Sequence, residues 1–154
     1  MKLDDLVQRM KSELEALSDA EKILMEVKID VNNLKEEAAR QPALYAYWSE
    51  RAALAEYLFY LADLNLKKVE SGLYEEYSVG LRSKGERVTE RSIEASIYKD
   101  ERYIKAKEEV IKWKTIAAIM NNIADALRTR ANMIWTLGKI VQDEIDALKY
   151  MDKT

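Results

Sequence analysis

The feature that most limits how this chain can fold is a run of twelve successive heptad core positions from Val110 to Leu148. Apolar or small residues recur there at alternating spacings of three and four, as in a helix that packs along its length against another helix. One set of positions is small and the other large, which predicts close helix packing. The apolar stripe is wider than one partner helix needs, so we predict an interface between subunits at its centre, formed by Ala117, Met120, Ala124, Leu127, Ala131, Ile134 and Gly138.

A second stripe of this kind runs from Trp48 to Leu73, with alanines placed between bulky residues. The 154 residues include only four glycines and one proline, and folds built from strands and tight turns need more of both. We therefore predict an all-α fold, a long helical hairpin that assembles into a ring-like homo-oligomer. The expected single domain has four parts: residues 1–41 as N-terminal helix and connector, 43–77 as first long helix, 78–90 as flexible basic loop and 91–150 as second long helix.

The N-terminal part predicts shorter elements. An amphipathic helix is expected through Leu17, and Ser18 to Glu21 has the pattern of a capping box that starts a second helix. Residues 25–31 alternate apolar and polar side chains, which favours a short extended segment slightly over a helix. Asp30 or Asn32 is expected to cap a short helix that ends before Pro42.

The composition excludes most enzyme chemistry. Cysteine and histidine are absent, which removes disulfides, the usual zinc ligands, thiol nucleophiles and histidine general bases. Adjacent glutamates on a helix point about 100° apart, and no glycine-rich phosphate loop is present. We expect no catalytic activity, cofactor or metal. No apolar run approaches the ~18 residues of a membrane span and no signal peptide is recognisable, so a cytoplasmic protein is expected.

Positive charge is concentrated in the second half of the chain, although the net charge is −3. Residues 82–114 contain ten basic and seven acidic side chains, with Tyr98, Tyr103 and Trp113 between them. Cations next to aromatic rings suit single-stranded nucleic acid, because phosphates pair with the cations and bases stack on the rings. The alternative interpretation is an ordinary solvated helix face, and Trp113 also fits the heptad core.

Three stretches, taken in order, resemble the phage recombination mediator proteins of the UvsY type. The first contains Lys28-Ile29-Asp30, Asn33-Leu34, the run from Glu37 to Tyr45 with its Arg-x-Pro-x-Leu step, and Trp48. The second is Tyr74-Glu75-Glu76-Tyr77-Ser78-Val79-Gly80, similar to the Tyr-Tyr-Ser-Gly that closes the family's first long helix. The third is the run from Ala124 to Arg130 with its terminal Arg128-Thr129-Arg130.

The resemblance implies a phage-encoded protein of the bacterial host cytoplasm that is a loader and not an enzyme. Such mediators form ring-like homo-oligomers, bind single-stranded DNA coated with single-strand binding protein, and help a RecA-type recombinase to assemble there. The family's type member carries Lys-x-Arg-Leu where this chain has Glu70-Ser71-Gly72-Leu73. We therefore assign DNA contact to nearby basic residues, namely Lys67, Lys68, Arg82, Lys84, Arg87 and Arg91.

A non-enzymatic structural or adaptor protein, such as a scaffolding or assembly component, is the alternative prediction. The same heptads and the acidic overall charge favour it. It differs from the mediator in one testable respect, because its oligomers would be indifferent to DNA.

Overall fold

The computed structural model describes residues 3–17, 20–83 and 89–151, and every regular element in these ranges is helical. The all-α prediction is confirmed, as is the packing of one long helix against another. No helix within these ranges is long and apolar enough to cross a membrane. The elements are α1 (Leu3–Leu17), α2 (Ala20–Val27), a 3₁₀ helix (Val31–Asn33), α3 (Leu34–Ser83), α4 (Glu90–Ile97) and α5 (Glu101–Met151).

The chain forms two compact units, and the first comprises residues 1–53 and 118–154. Here α3 and α5 are antiparallel, because Glu37 contacts Arg130 whereas Gln41, four residues later, contacts Leu127, three residues earlier. The helix α1 is fixed by a 2.8 Å ion pair between Glu13 and Arg51. The unit buries large apolar side chains from α1, α3 and α5, including Leu14, Leu44, Trp48, Met120, Ile123 and Leu127.

The second unit comprises residues 54–117. Its core alternates small and large buried side chains: Ala55, Leu58, Ala62 and Leu66 from α3, and Ala106, Val110, Trp113 and Ile116 from α5. The heptad stripes contain Ala55, Ala62, Leu66, Val110 and Trp113 of this set, but on α3 the structure buries Leu58 in place of the stripe's Phe59, which is only half-buried. A separate cluster joins Leu73 to Ile93 and Ile97 of α4. A helix as short as α4 is not stable in isolation, so its packing against Leu73 in this cluster stabilises it.

The helix α3 does not end at Pro42, in contrast to the sequence expectation, but runs through it from Leu34. Proline removes one helical hydrogen bond and biases the preceding residue away from helical angles. The preceding residue is Gln41, which is buried here, and its side-chain nitrogen donates to the carbonyl oxygen of Leu127 over 2.6 Å. Its side-chain oxygen accepts a hydrogen bond from Arg130. These tertiary contacts hold Gln41 in the helix and outweigh the local preference.

The connector at residues 25–31 also differs from the extended segment that the alternation favours. Residues 25–27 belong to α2, residues 28–30 have no regular structure, and the 3₁₀ helix follows. The guanidinium of Arg130 donates to the carbonyl oxygens of Val27 and Lys28, each over 3.1 Å. These bonds satisfy the backbone carbonyl groups at the end of α2. An extended segment in this place would have needed hydrogen bonds to a neighbouring strand instead. Asp30 caps the 3₁₀ helix, and Ser18, the predicted cap of α2, lies outside the described residues.

The predicted basic loop and second long helix also have different boundaries. The helix α3 extends to Ser83, so residues 78–83 are helical, and residues 84–88 lie outside the described ranges. Thr89 and Ser92 form the capping box of α4, so a helix restarts at Glu90, one residue before the predicted start at residue 91. The expected helix over 91–150 is interrupted at residues 98–100, because the carboxylate of Asp100 accepts the backbone N–H of Arg102 over 2.8 Å and caps α5.

Candidate nucleic-acid interface

Four of the six predicted DNA-contacting residues lie in the described part of the second unit, and all four are exposed. Lys67, Lys68 and Arg82 lie on α3, and Arg91 lies in the first turn of α4. Lys84 and Arg87 fall outside the described residues. The structure therefore places three of the cations on one helix.

A second stripe of side chains, opposite the buried heptad positions of α3, brings exposed aromatic rings to these cations. Its members recur every three or four residues, so they share one helix face. We call this stripe the outer face of α3 and define it as Tyr57, Tyr60, Leu64, Lys67, Ser71, Tyr74, Ser78 and Arg82. Tyr60 is 65% exposed, and Tyr57 and Tyr74 are each 45% exposed. At 1.5 Å per residue the stripe is about 37 Å long.

The two cations of this face, Lys67 and Arg82, and the neighbouring Lys68 are available to different degrees. The ammonium group of Lys67 lies 2.7 Å from Asp63, and this hydrogen bond raises the pKa of Lys67 above its usual value. Lys67 is therefore protonated at neutral pH, but it shares its charge with a carboxylate. Within the described ranges, Lys68 and Arg82 have no ion-pair partner.

Two carboxylates weaken the positive potential in the middle of the outer face. Lys67, Ser71 and Tyr74 line a depression of about 420 Å³, and its other lining residues are Glu70 and Glu75. Phosphate would be repelled at this point. Glu70 is the first residue of the Glu70-Ser71-Gly72-Leu73 stretch, so the position at which the sequence departs from the UvsY-type pattern that it resembles borders the candidate surface.

Another basic residue of the predicted cluster, Arg102, stabilises the fold. The guanidinium of Arg102 lies 2.9 Å from Asp100 and 2.9 Å from Glu76, and these two hydrogen bonds raise the pKa of Arg102 above its usual value. Asp100 also accepts a hydrogen bond from the Tyr77 hydroxyl over 2.8 Å. The hydrogen bonds from Arg102 hold the pKa of Asp100 well below its usual range. Arg102 is therefore part of the joint between α3 and the start of α5, and it is not free to bind phosphate.

The aromatic residues named from the sequence are less available than the tyrosines of α3. Trp113 is fully buried and its indole N–H donates to Glu109 over 2.7 Å, so the core interpretation holds. Tyr103 packs against the Leu73 cluster, with its ring centroid 5.3 Å from that of Tyr98. Only Tyr98 of the three is exposed. The rings that suit base stacking, Tyr57, Tyr60 and Tyr74, were missed because they follow a second period on α3, outside the basic cluster.

Most residues of the predicted oligomer interface are covered within one copy of the chain. Met120 and Leu127 are fully buried, Ala131 is half-buried and Gly138 is exposed. The remaining three members, Ala117, Ala124 and Ile134, are also buried. The same stripe continues at exposed Val141, Ile145 and Leu148, so this C-terminal part of α5 is the part of the stripe that is open to a second copy. The subunit interface stays a prediction.

The Arg128-Thr129-Arg130 stretch of the resemblance divides into two different environments. Arg128 is exposed, pairs with Asp125 over 3.2 Å and donates to the hydroxyl of Tyr45 over 3.1 Å. The side chain of Arg130 is 1% exposed and is fully engaged by Glu37, Gln41 and two carbonyl oxygens. Residues two apart on a helix point about 200° apart, so one faces solvent and the other the core. Only Arg128 could meet a nucleic acid.

In the described ranges, no group of three or more carboxylates is arranged to hold a metal ion. No family model, curated protein or solved structure matches the chain.

Proposed function

We propose that the protein is a recombination mediator without catalytic activity. It binds single-stranded DNA as a ring-like homo-oligomer and helps a RecA-type recombinase to assemble on strands coated with single-strand binding protein. The observation that carries the proposal is the outer face of α3, where exposed tyrosines share one stripe with Lys67 and Arg82. The partners come from the family resemblance alone.

The outer face supplies both interactions that an unpaired strand requires. Lysine and arginine neutralise phosphates without regard to sequence, and each base stacked on an aromatic ring contributes about 1–3 kcal/mol. One face carries few cations and two opposing carboxylates, so a single copy binds weakly. Repetition of the face around an oligomer raises the affinity through multivalency without new contacts.

Binding is tested by fluorescence anisotropy of labelled oligo-dT at increasing salt. We expect the combined variant Lys67→Glu, Lys68→Glu, Arg82→Glu to lose at least tenfold in affinity. The slope of log affinity against log salt concentration should also become shallower by about 2, because three phosphate contacts are lost. The matched control reverses three exposed lysines of the same unit, Lys99, Lys107 and Lys114, and leaves the outer face intact. Equal loss in both variants would assign binding to net charge or to the basic cluster of residues 82–114, and would contradict the assignment to α3.

A gain-of-function variant tests the same surface in the opposite direction. Glu70→Lys with Gly72→Arg restores the Lys-x-Arg-Leu pattern of the family, and a side chain at position 72 meets no atom within 4 Å of its Cβ. With two added phosphate contacts, the slope of log affinity against log salt concentration should become steeper by about 1.4. Unchanged affinity in this variant would show that DNA does not pass over this part of α3.

The stacking contribution is tested with tyrosines. Replacement of Tyr57, Tyr60 and Tyr74 with alanine should weaken binding, while phenylalanine should preserve it because the ring remains. Tyr98→Ala is the control for an exposed tyrosine elsewhere in the unit. If wild-type protein does not bind oligo-dT at low salt, the mediator proposal fails as a whole.

The second candidate is a structural or adaptor protein, favoured by the exposed apolar end of α5. Leu148 is 63% exposed, and Val141 and Ile145 are each 43% exposed on the same stripe. Solution mass measured with and without oligo-dT separates the two functions. The adaptor forms oligomers that ignore DNA, and charge reversal at Arg82, Lys84 and Arg87 would leave its assembly unchanged.

A further inference from the structure

An apolar groove in the first unit lies between the beginning of α3 and the C-terminal half of α5. Its volume is about 600 Å³, within the range of sites that enclose a ligand group. The interior is lined mainly by aliphatic and small residues: Leu34, Ala38 and Pro42 from α3, and Ala131, Ile134 and Gly138 from α5. This groove is separate in sequence from the outer face of α3 and has no part in the proposed DNA contact.

The rim of the groove is positively charged. Lys35 on α3 and Lys139 on α5 both border it, and both are exposed. Neither has an ion-pair partner within residues 3–17, 20–83 and 89–151. Trp135 also borders the groove, is 72% exposed, and has the ammonium group of Lys139 5.9 Å from its ring centroid.

We propose that this groove binds a short acidic segment of a partner protein that carries a bulky apolar side chain. The aliphatic interior receives the apolar side chain, Trp135 covers it, and Lys35 and Lys139 pair with carboxylates on either side. Large exposed aromatic residues beside a cavity are the usual anchors of protein recognition. The assignment rests on this chemistry and does not depend on the proposed function.

The same features disfavour two other occupants. A nucleic acid base needs flat aromatic surfaces on which to stack, and the groove has one ring above aliphatic walls. A two-fold contact of this groove with the same groove of a second copy would bring the Lys35 and Lys139 of both subunits together, which like-charge repulsion opposes; a head-to-tail contact in a ring joins two different surfaces and is distinguished by the experiment below. An acidic peptide satisfies both the apolar interior and the basic rim.

Two glycines provide a matched pair of variants. A Cβ atom at Gly138 meets no atom within 4 Å, so a larger side chain is tolerated and occupies space in the groove. Gly72 is equally open and exposed, but it lies on α3 in the second unit. Gly138→Leu should therefore block binding, and Gly72→Leu should not.

The native tryptophans supply the readout. Trp48 and Trp113 are 3% and 0% exposed, so acrylamide quenching of the intrinsic fluorescence reports mainly on Trp135. The probe is the peptide Asp-Asp-Glu-Leu-Phe-Glu-Asp, which contains no tryptophan. It should protect the wild-type fluorescence from acrylamide in a saturable manner. The combined variant Lys35→Glu, Lys139→Glu should weaken this binding about tenfold or more, while Lys107→Glu leaves it unchanged.

Four results would overturn the proposal. Equal protection by a peptide with Ser-Ser in place of Leu-Phe, or by one with lysines in place of its acids, would remove the basis for recognition. Unimpaired binding to Gly138→Leu would place the peptide elsewhere. Protection by oligo-dT but not by the peptide would make the groove a nucleic-acid site. Finally, Trp135 of the wild-type protein could already be shielded from acrylamide in an oligomer and become exposed when Gly138→Leu is monomeric. That result would make the groove a contact between copies.

Discussion

Replacement of Arg130 is the sharpest test of how the first unit is held together. Its guanidinium joins α5 to two other segments: the connector through the carbonyl oxygens of Val27 and Lys28, and α3 through Glu37 and Gln41. In the variant Arg130→Met the hydrophobic side chain fills much of the space but donates no hydrogen bond. The carboxylate of Glu37 and the side-chain oxygen of Gln41 then lose their buried donor.

The expected cost follows from the burial of the pair. The side chains of Arg130 and Glu37 are 1% and 13% exposed, and removal of one partner from a buried ion pair typically costs about 3–5 kcal/mol. This is a large fraction of the roughly 5–15 kcal/mol that stabilises a domain. The matched control is Arg128→Ala, two residues earlier, whose ion pair with Asp125 is exposed and screened by solvent, so its loss should change the free energy of unfolding little.

The assay is urea unfolding followed by circular dichroism. We expect the midpoint of Arg130→Met to fall far below that of Arg128→Ala, with the double variant Glu37→Gln, Arg130→Met recovering part of the loss because no charge remains unpaired. Equal shifts for the two arginine variants would refute the assignment of Arg130 to the core. A double variant no more stable than Arg130→Met would show that the unpaired charge of Glu37 is not the cause.

Three further predictions concern stability. Ala124→Leu should lower the free energy of unfolding by about 1–3 kcal/mol, because it overpacks a buried site. Ala131→Leu should lower it less, because Ala131 borders the open groove. Equal melting temperatures of the two variants in calorimetry would contradict this prediction. Burial opposes ionisation of Glu37, but the backbone N–H of Asp30 and the guanidinium of Arg130 outweigh it and lower its pKa below 4.5. Its contribution is therefore present above pH 4.5 and lost as the pH falls through the folded value, so the advantage of wild type over Glu37→Gln should shrink in acid unfolding curves. Gly72→Ala should raise the free energy of unfolding by up to about 1 kcal/mol, and an unchanged urea midpoint would argue against a continuous α3 there.

The sequence predicts those parts of the fold that depend on repeated local signals. The heptad stripes of α3 and α5 identify core residues such as Trp48, Leu66 and Trp113, because a residue's position on the helix determines its burial. The capping box at Thr89 is a local signal of the same kind, although the sequence prediction starts the helix at residue 91 without it. Pro42 is different, because the bonds that keep Gln41 helical come from residues more than eighty positions away.

The candidate site shows the same division. Lys67, Lys68 and Arg82 can be read from the sequence one by one, but which exposed rings accompany them depends on the second period of α3. The different environments of Arg128 and Arg130 follow from helical geometry once the buried face of α5 is known. The groove beside Trp135 cannot be found from the sequence, because it forms where α3 and α5 come together.

The proline inside α3 has a consequence for the wall of the groove. Since Pro42 has no N–H, the carbonyl oxygen of Ala38 lacks its usual helical donor, and both residues border the groove. This wall therefore has one backbone hydrogen bond fewer than an uninterrupted helix. The bonds of Gln41 to Leu127 and Arg130 compensate for it, so the form of the wall depends on α5 as well as on its own residues.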